Sequence, residues 1–310
     1  MEKRDFLNLG NLNAEDFEDI FRVSEELKER REKGEKIVPL LKGRFMGMIF
    51  EKPSTRTRVS FQVAMEELAG RAIYLPGRDT QLGRGETIGD TARVLSGYLD
   101  ILLLRTFAQD RVEELAKNSS VPVINGLSDF LHPCQIVSDL FTIREKKGTY
   151  KDIRVVYIGD GNNVCHSWIL AYQALDFELV VSTPPGFQPQ WEELEKRGWL
   201  RRKPAYIPDP YKAVKDAQVI YTDVWTSMGM EKEEKEREET FAPYQVNTSL
   251  LAQAAPDCLV MHCLPAHRGK EITGEVLDGR NSVIWEEAKN RLHVQKGIIL
   301  WCMRKEKELG

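Results

Sequence analysis

The sequence predicts an α/β protein of two domains, each a parallel sheet flanked by helices, the two joined by long helices. Three observations lead there. Short apolar runs alternate with helix-period segments along most of the chain, the pattern of strand–helix–strand units. At 310 residues the chain is long for one hydrophobic core. Near residue 151 the alternation starts afresh after a long helix.

The elements follow in order. Residues 13 to 33 have amphipathic helical spacing, with Asn13 as cap and a strongly charged outer face. Phe45 to Phe50 is a short buried strand. Val59 to Leu68 is helical, with Val59, Val63, Ala64 and Leu68 on one apolar face and Gly70 as a stop. Ala72 to Leu75 is a strand. Pro76 to Glu86 is a polar, glycine-containing loop without regular period, a kind of segment that often carries function. Thr87 to Tyr98 is a helix, Ile101 to Leu104 a buried strand, Val112 to Lys117 a short helix and Val121 to Asn125 a strand with its exit. Gln135 to Lys147 forms a long helix linking the halves. The second half begins with a strand at Val155 to Ile158 and a helix over Val164 to Leu175. Strands follow at Leu179 to Val181, Val219 to Thr222, Leu259 to Met261 and Ser282 to Ile284, with a final helix from Ala288 to Arg304. Glu231 to Glu239 is almost wholly charged and reads as a solvated loop or helix face. No internal repeat or low-complexity linker interrupts this order.

Composition bounds the function. Apolar residues make up 42% and charged residues 30%, as in a soluble globular protein, and the net charge is -4. No basic tail or stripe favours nucleic acid. The start, Met1-Glu2-Lys3-Arg4-Asp5, lacks the apolar core of a signal peptide. No apolar run approaches the roughly 20 residues of a membrane span; Leu99 to Leu104 comes nearest, and Asp100 interrupts it. Five cysteines, an odd number without a CxxC pair, read as free thiols in a reducing cytoplasm. A cytoplasmic protein with neither nucleic-acid nor membrane partners is expected.

The chemistry starts at Glu51-Lys52-Pro53-Ser54-Thr55-Arg56-Thr57-Arg58. A strand turns into a helix here, and Ser54 or Thr55 can cap it. Open N–H groups and the partial positive charge of a helix N-terminus bind phosphate. Two hydroxyls and the planar fork of an arginine add to that. An ordinary capped helix with solvated arginines is the plain alternative. The glycine spacing of a nucleotide P-loop is missing, so a small phosphate compound is the expected ligand. Ser54, Arg105 and Asn125 all fall at carboxyl ends of strands, where parallel sheets collect ligands.

Ser-Thr-Arg-Thr-Arg resembles the phosphate-holding motif of the aspartate and ornithine carbamoyltransferase family. Four more segments resemble that family in the right order: Gln81-Leu82-Gly83, His132-Pro133-Cys134-Gln135, Asp223 to Gly229, and His262-Cys263-Leu264-Pro265. The last two are similar to the ornithine branch. The resemblance runs from about residue 4 to the C-terminal helix. It implies transfer of the carbamoyl group of carbamoyl phosphate to the δ-amine of L-ornithine across a cleft, with no metal or other cofactor. It also implies a carbamoyl phosphate-binding domain over 1–134, joined by helix 288–310, and an ornithine-binding domain over 151–287. Ser54, Thr55, Arg56, Thr57 and Gln81 would hold the phosphate. Arg105 and His132 would meet the carbonyl oxygen, where attack builds charge and a fixed donor counts most. Gln135 would hold the carbamoyl nitrogen and Arg291 would reach the carbonyl. Asn163 would hold the ornithine α-carboxylate. Asp223 would pair with an ornithine ammonium, Ser227 with the α-amino group, and Met228 would pack on the methylenes. Cys263 would lie beside the δ-amine, with backbone carbonyls of Cys263 and Leu264 turned toward the carbamoyl group and Leu264–Pro265 cis. Arg105, His132, Asp223 and Cys263 form the implied catalytic set. Gln81, on a loop with too few apolar residues to pack on its own domain, would complete a neighbouring subunit's site in a homotrimer or a multiple of trimers.

Other readings compete. Gly159-Asp160-Gly161 after a strand invites a dinucleotide, but Val164 stands where the third glycine belongs. His262, Cys263 and His267 invite a metal, but a convincing fourth ligand is missing. Putrescine or an acylated ornithine could replace ornithine as acceptor, though Asn163 and Ser227-Met228-Gly229 answer a free α-amino acid. A binding protein without catalysis on the same fold is the last alternative.

Overall fold

The structure, a computed structural model, describes residues 3–226 and 234–309. Ser227 and Met228, two expected ornithine contacts, lie outside the described residues. The chain divides into two compact units: Met1–Ser138 with Lys289–Gly310, and Asp139–Ala288.

Unit 1 holds strands β1 (Phe45–Phe50), β2 (Arg71–Pro76), β3 (Ile101–Arg105) and β4 (Val123–Leu127), all parallel, in the order 2-1-3-4. Helices α1 (Ala14–Glu32), α2 (Thr55–Glu67), α3 (Ile88–Ser96) and α4 (Gln109–Asn118) accompany them. Asn13 caps α1 in a reciprocal capping box with Asp16. The chain start covers the β4 edge: Phe6 donates to Val123 and accepts from Asn125, which removes an open row of backbone groups. Ile49, Leu102, Leu104, Val112 and Leu115 form part of one buried cluster.

Helix α5 (Pro133–Lys147) carries the chain from unit 1 into unit 2. Strands β5 (Arg154–Ile158), β6 (Glu178–Ser182), β7 (Ala205–Tyr206), β8 (Val219–Thr222) and β9 (Leu259–His262) pair in parallel in the order 7-6-5-8-9. Helices α6 (Asn163–Ala174), α7 (Trp191–Lys196), α8 (Pro210–Ala213), α9 (Glu234–Phe241), α10 (Thr248–Leu251) and α11 (Gly274–Leu277) join them, and α12 (Ile284–Cys302) returns the chain to unit 1. Val156, Val180, Ile220, Val260 and Ile284 lie in its core cluster.

The structure corrects several expectations. Ser282 makes only an isolated bridge to Val260, and α12 already starts at Ile284, so no strand forms over 282–284. The loop from Pro76 to Glu86 winds into two short 3-10 turns, Gly77–Asp79 and Gln81–Arg84. Of the expected apolar face, Ala64 and Leu68 are buried but Val59 is 51% exposed, and Phe61 and Met65 take its place in the core. Asn125 sits inside β4 and is fully buried, giving its amide to Leu7 and Gln109 rather than to a ligand.

Candidate functional site

In unit 1, β2 and β3 lie on opposite sides of β1. Successive crossovers therefore leave β1 in opposite directions, and a crevice opens at the carboxyl ends of β1 and β3. The register pairs Phe50 with Arg105, so the Ser54 loop and Arg105 leave the sheet side by side. A register shift against β4 falls between Leu104 and Arg105, the kind of irregularity that re-aims a side chain. Ser54 is extended and caps α2, accepting from the Thr57 amide at 3.2 Å. Thr55, Arg56 and Thr57 form the first turn. Their remaining amides and the helix dipole make an anion seat.

Behind this turn the polar residues are buried. Arg291, 3% exposed, donates to Gln135 and, at 3.3 Å, to the Thr57 hydroxyl. Arg105, His132 and Gln135 are buried as well. Burial first, then the charges of Arg291, Arg105 and Arg56, hold His132 well below its usual value. It is therefore a neutral imidazole at physiological pH, able to donate a hydrogen bond without adding charge. Gln81 stands exposed on the second 3-10 turn.

Sequence reasoning missed the brace under this site. Glu51 takes two hydrogen bonds from Arg111, at 3.1 and 2.6 Å, and one from the Thr106 hydroxyl, while its amide donates to the Arg105 carbonyl at 2.9 Å. It ties the β1 exit to the β3 exit. The position of Glu51 directly after a strand and before the Ser54 loop was the available signal.

Unit 2 repeats the arrangement. β6 and β8 flank β5, so the crevice lies between β5 and β8. Ile158, Thr222 and His262 end their strands in register, which brings the following loops together. Asp223, 5% exposed, receives Asn162 Nδ2 at 2.8 Å, the Cys263 thiol at 2.9 Å and the Val224 amide at 2.8 Å. Asn162 caps α6, its Oδ1 accepting from Val164 and Cys165, while the Tyr157 hydroxyl also reaches it at 3.1 Å. Asn163 is the first residue of α6 and half-buried. The asparagine that touches Asp223 is therefore Asn162, which sequence reasoning passed over; an Asn just ahead of a helical run signalled a cap.

Burial raises the Cys263 thiol well above its usual value, and the Asp223 carboxylate adds to that. The sulfur keeps its proton and donates it. His262 Nδ1 accepts the Leu264 amide at 2.8 Å, and Nε2 meets Glu271 at 3.1 Å. Ligand atoms of Asp223, His262 and Cys263 lie within 4.8 Å of one another. A metal there would have to take the Nδ1 lone pair from an amide and the proton from a high-pKa thiol. Instead Cys263 donates to Asp223, while His262 is held by the Leu264 amide and Glu271. Leu264 adopts φ 58°, and Leu264–Pro265 is cis.

The charged run is helical over its described residues, with Lys235, Glu236 and Glu239 exposed as expected of a solvated face, but Arg237 departs from that reading. Arg237 of α9 is 5% exposed, donating to the Trp225 carbonyl at 2.7 Å and ion-paired with Asp160. Its guanidinium lies over Phe187 and Phe241. Burial pushes Asp160 up to about 6 despite this partner. Gly161 is needed because the backbone of Gln188 and Pro189 passes 2.4 Å from where its Cβ would be. The close approach that this glycine permits is to the chain itself, which leaves no room there for a pyrophosphate.

Each unit is a doubly wound parallel sheet with a polar crevice at its strand ends, one with an anion-compatible helix N-terminus and one built on a carboxylate. Family comparison makes the class specific: a transferase. Residues 4–145 match the model for the carbamoyl-P binding domain of aspartate/ornithine carbamoyltransferase, and residues 151–302 match its Asp/Orn binding domain. The chain belongs to the aspartate/ornithine carbamoyltransferase family. It is 53% identical over 299 residues to an ornithine carbamoyltransferase of Syntrophus aciditrophicus, covering 96% of this chain and 98% of that one. It is 52% identical over 302 residues to one from Methanosarcina mazei, covering 97% and 100%. The solved ornithine carbamoyltransferase of Pyrococcus furiosus superposes with a TM-score of 0.90 at 51% identity, covering 96% of each chain.

Proposed function

We propose that this chain transfers the carbamoyl group of carbamoyl phosphate to the δ-amine of L-ornithine, giving L-citrulline and phosphate. One observation carries the choice of acceptor: a carboxylate, Asp223, stands at the β8 exit with hydrogen bonds from Asn162 and Cys263. A carboxylate suits an ammonium, whereas an aspartate acceptor would want a cation at this point.

Unit 1 is the carbamoyl phosphate domain. Ser54, Thr55, Arg56 and Thr57 take the phosphate. Arg105 and neutral His132 donate to the carbonyl oxygen, with Arg291 beside them, and Gln135 orients the carbamoyl nitrogen. Unit 2 takes ornithine through Asn163, Asp223, Ser227 and Met228, while Cys263 and Leu264 meet the reacting groups. Free ornithine carries its δ-nitrogen protonated, with a pKa near that of lysine, about 10.4. Only the neutral amine attacks. Attack on the carbonyl carbon forms the N–C bond, the C–O bond to phosphate breaks, the attacking nitrogen gives its extra proton to the departing phosphate, and that phosphate leaves as an anion stabilised by Arg56. The donors at the carbonyl oxygen count most as charge develops there. A citrulline colorimetric assay with ornithine, putrescine and aspartate as acceptors tests this reading. Citrulline from ornithine is the expected product; a carbamoylated putrescine or aspartate in its place overturns it.

The assembly we propose is a homotrimer, alone or within a larger multiple, with Gln81 entering a neighbour's site. Closed cyclic symmetry lets each subunit complete the next. Exposed Val59, Ile73, Val94 and Tyr98 on unit 1 support a buried face in the assembly. Mixing inactive Arg56→Ala and Gln81→Ala chains should return activity at interfaces where Arg56 and Gln81 are both intact. Demonstrated exchange without recovery refutes the shared site, and so does an active monomer. We also propose a cytoplasmic setting, which five free cysteines favour. The relative from Pyrococcus furiosus called "Ornithine carbamoyltransferase, anabolic", 51% identical over 307 residues, favours a biosynthetic direction leading to arginine.

A further inference from the structure

The carboxylate of Glu271 is fully buried, nine residues beyond His262 and outside every role assigned so far. Its Oε1 meets His262 Nε2 at 3.1 Å and accepts the His267 amide at 2.6 Å. The His262 imidazole is also fully inside, and its Nδ1 accepts the Leu264 amide at 2.8 Å. A nitrogen that accepts an N–H carries no proton, so the ring proton sits on Nε2 and points at Glu271. The backbone amide of His262 is fixed separately, by Glu287 at 3.0 Å. Leu264 has φ 58°, a left-handed conformation that costs a residue with a Cβ roughly 1–2 kcal/mol. Something must hold that turn, and the imidazole nitrogen at its amide does so. Were the proton on Nδ1, two N–H groups would face each other and the turn would lose its anchor.

Building on the proposed reaction, we propose that Glu271 is a positioning residue. It fixes the Nε2–H tautomer of His262, which holds the left-handed turn at Leu264 and thereby presents the Cys263 thiol and the Leu264 carbonyl to the reacting groups. The logic is that of an outer hydrogen-bond partner that sets a histidine's tautomer and orientation. Burial raises the Glu271 carboxyl, but the hydrogen bonds from His262 and the His267 amide outweigh it and leave it below its usual range. The acceptor is therefore ionised throughout the working pH range.

The test compares two substitutions of similar volume. Glu271→Gln keeps an acceptor oxygen for His262 and the His267 amide. Glu271→Met removes it without leaving a large cavity. Displacing the reacting groups by about 1 Å costs around 10²-fold in rate. Glu271→Met should therefore lose kcat by about 10²-fold, with KM for carbamoyl phosphate, whose phosphate unit 1 holds, changing less than about threefold. Glu271→Gln should recover most of kcat. In a His262→Asn background, where an amide oxygen serves Leu264 in place of the ring, the Glu271→Met loss should shrink, because the two residues act as one unit. Equal kcat values for folded Glu271→Met and wild type overturn the proposal, as does a Glu271→Gln variant no better than Glu271→Met. If Glu271→Met does not fold, the wild-type chain decides through 15N-labelled histidine, with the His262 signal assigned by its loss in His262→Asn. A neutral ring protonated on Nε2 supports the proposal, and a proton on Nδ1 overturns it. Wild-type citrulline formation tests the reaction itself; its absence would leave the tautomer result standing as a separate answer.

Discussion

Units 1 and 2 wire their central strands alike: in each, the first strand lies between the second and a later one, β3 in unit 1 and β8 in unit 2, and polar side chains collect where those crossovers part. What they collect is opposite. The β1/β3 crevice gathers Arg56, Arg105 and Arg291, whose charge is fixed at any physiological pH, around His132, which burial first and those charges second keep neutral. The β5/β8 crevice gathers Asp223, Asn162 and a protonated Cys263. Unit 1 is built from permanent cations because the phosphate it must hold is an anion from binding to release. On the proposed reading, unit 2 uses one carboxylate with neutral donors because its ligand arrives as an ammonium and must react as an amine. The shared wiring supplies the crevice, and only the loop residues supply the charge.

The sharpest way to break this contrast is at Arg56. In the proposed role its cation meets a group that gains charge as the phosphate departs, so its loss would fall on the transition state as well as on binding. Arg56→Ala should lower kcat by about 10³-fold, the upper range for removing one fixed donor to developing charge, and should raise KM for carbamoyl phosphate. Arg56 is exposed, so the melting temperature should hardly move. Steady-state kinetics with both substrates varied checks this, and turnover near the wild-type value at saturation refutes it. A smaller loss, about 10²-fold in apparent ornithine affinity, is expected for Asp223→Asn. Truncating one partner of a buried charge pair costs roughly 2–5 kcal/mol, and here the amide keeps the shape but not the charge. The loss should appear in KM for ornithine with KM for carbamoyl phosphate nearly unchanged; the reverse split would move Asp223 out of the amine site.

How far the sequence carried these assignments depended on the kind of interaction. β1 was legible to the residue, because six consecutive apolar residues bounded by a charged turn admit few other structures. The α2 cap at Ser54 was legible because a cap is a local hydrogen bond between residues three apart. Arg237 was not, since it sits in a run of charges whose ordinary fate is water. Its burial depends on Asp160, 77 positions away, and on two aromatic faces from other segments. Asn162 was overlooked beside Asn163 because only the register of β5 with β8 decides which of two adjacent asparagines reaches Asp223. The expected strand over 282–284 failed because three residues of apolar and small character fit the first turn of a helix equally well, and α12 claimed Ile284.

The mildest test concerns the thiol, and it separates a donor from a nucleophile. Cys263 gives its proton to Asp223 at 2.9 Å, and burial with the neighbouring carboxylate holds it well above the usual thiol value of 9.0. Thiolate, not thiol, is what alkylates. The reaction of Cys263 with iodoacetamide at pH 7 should therefore be slower than that of a free thiol, and it should quicken as pH rises past 9 toward the thiol's own raised value. The other cysteines, Cys134, Cys165, Cys258 and Cys302, are buried, so the first adduct found by peptide mass mapping should be on Cys263. Alkylation there should abolish turnover, because the adduct would occupy the position proposed for the δ-amine, and an ornithine analogue added with carbamoyl phosphate should protect. Cys263→Ser keeps a donor to Asp223 and should cost only about tenfold in KM for ornithine, in line with one hydrogen bond to a charged group at about 1.5–3 kcal/mol being partly retained. Full activity in the alkylated enzyme would remove Cys263 from the site. Fast alkylation at neutral pH would instead show a thiolate, and the charge contrast between the two units would have to be redrawn with a second anion in unit 2.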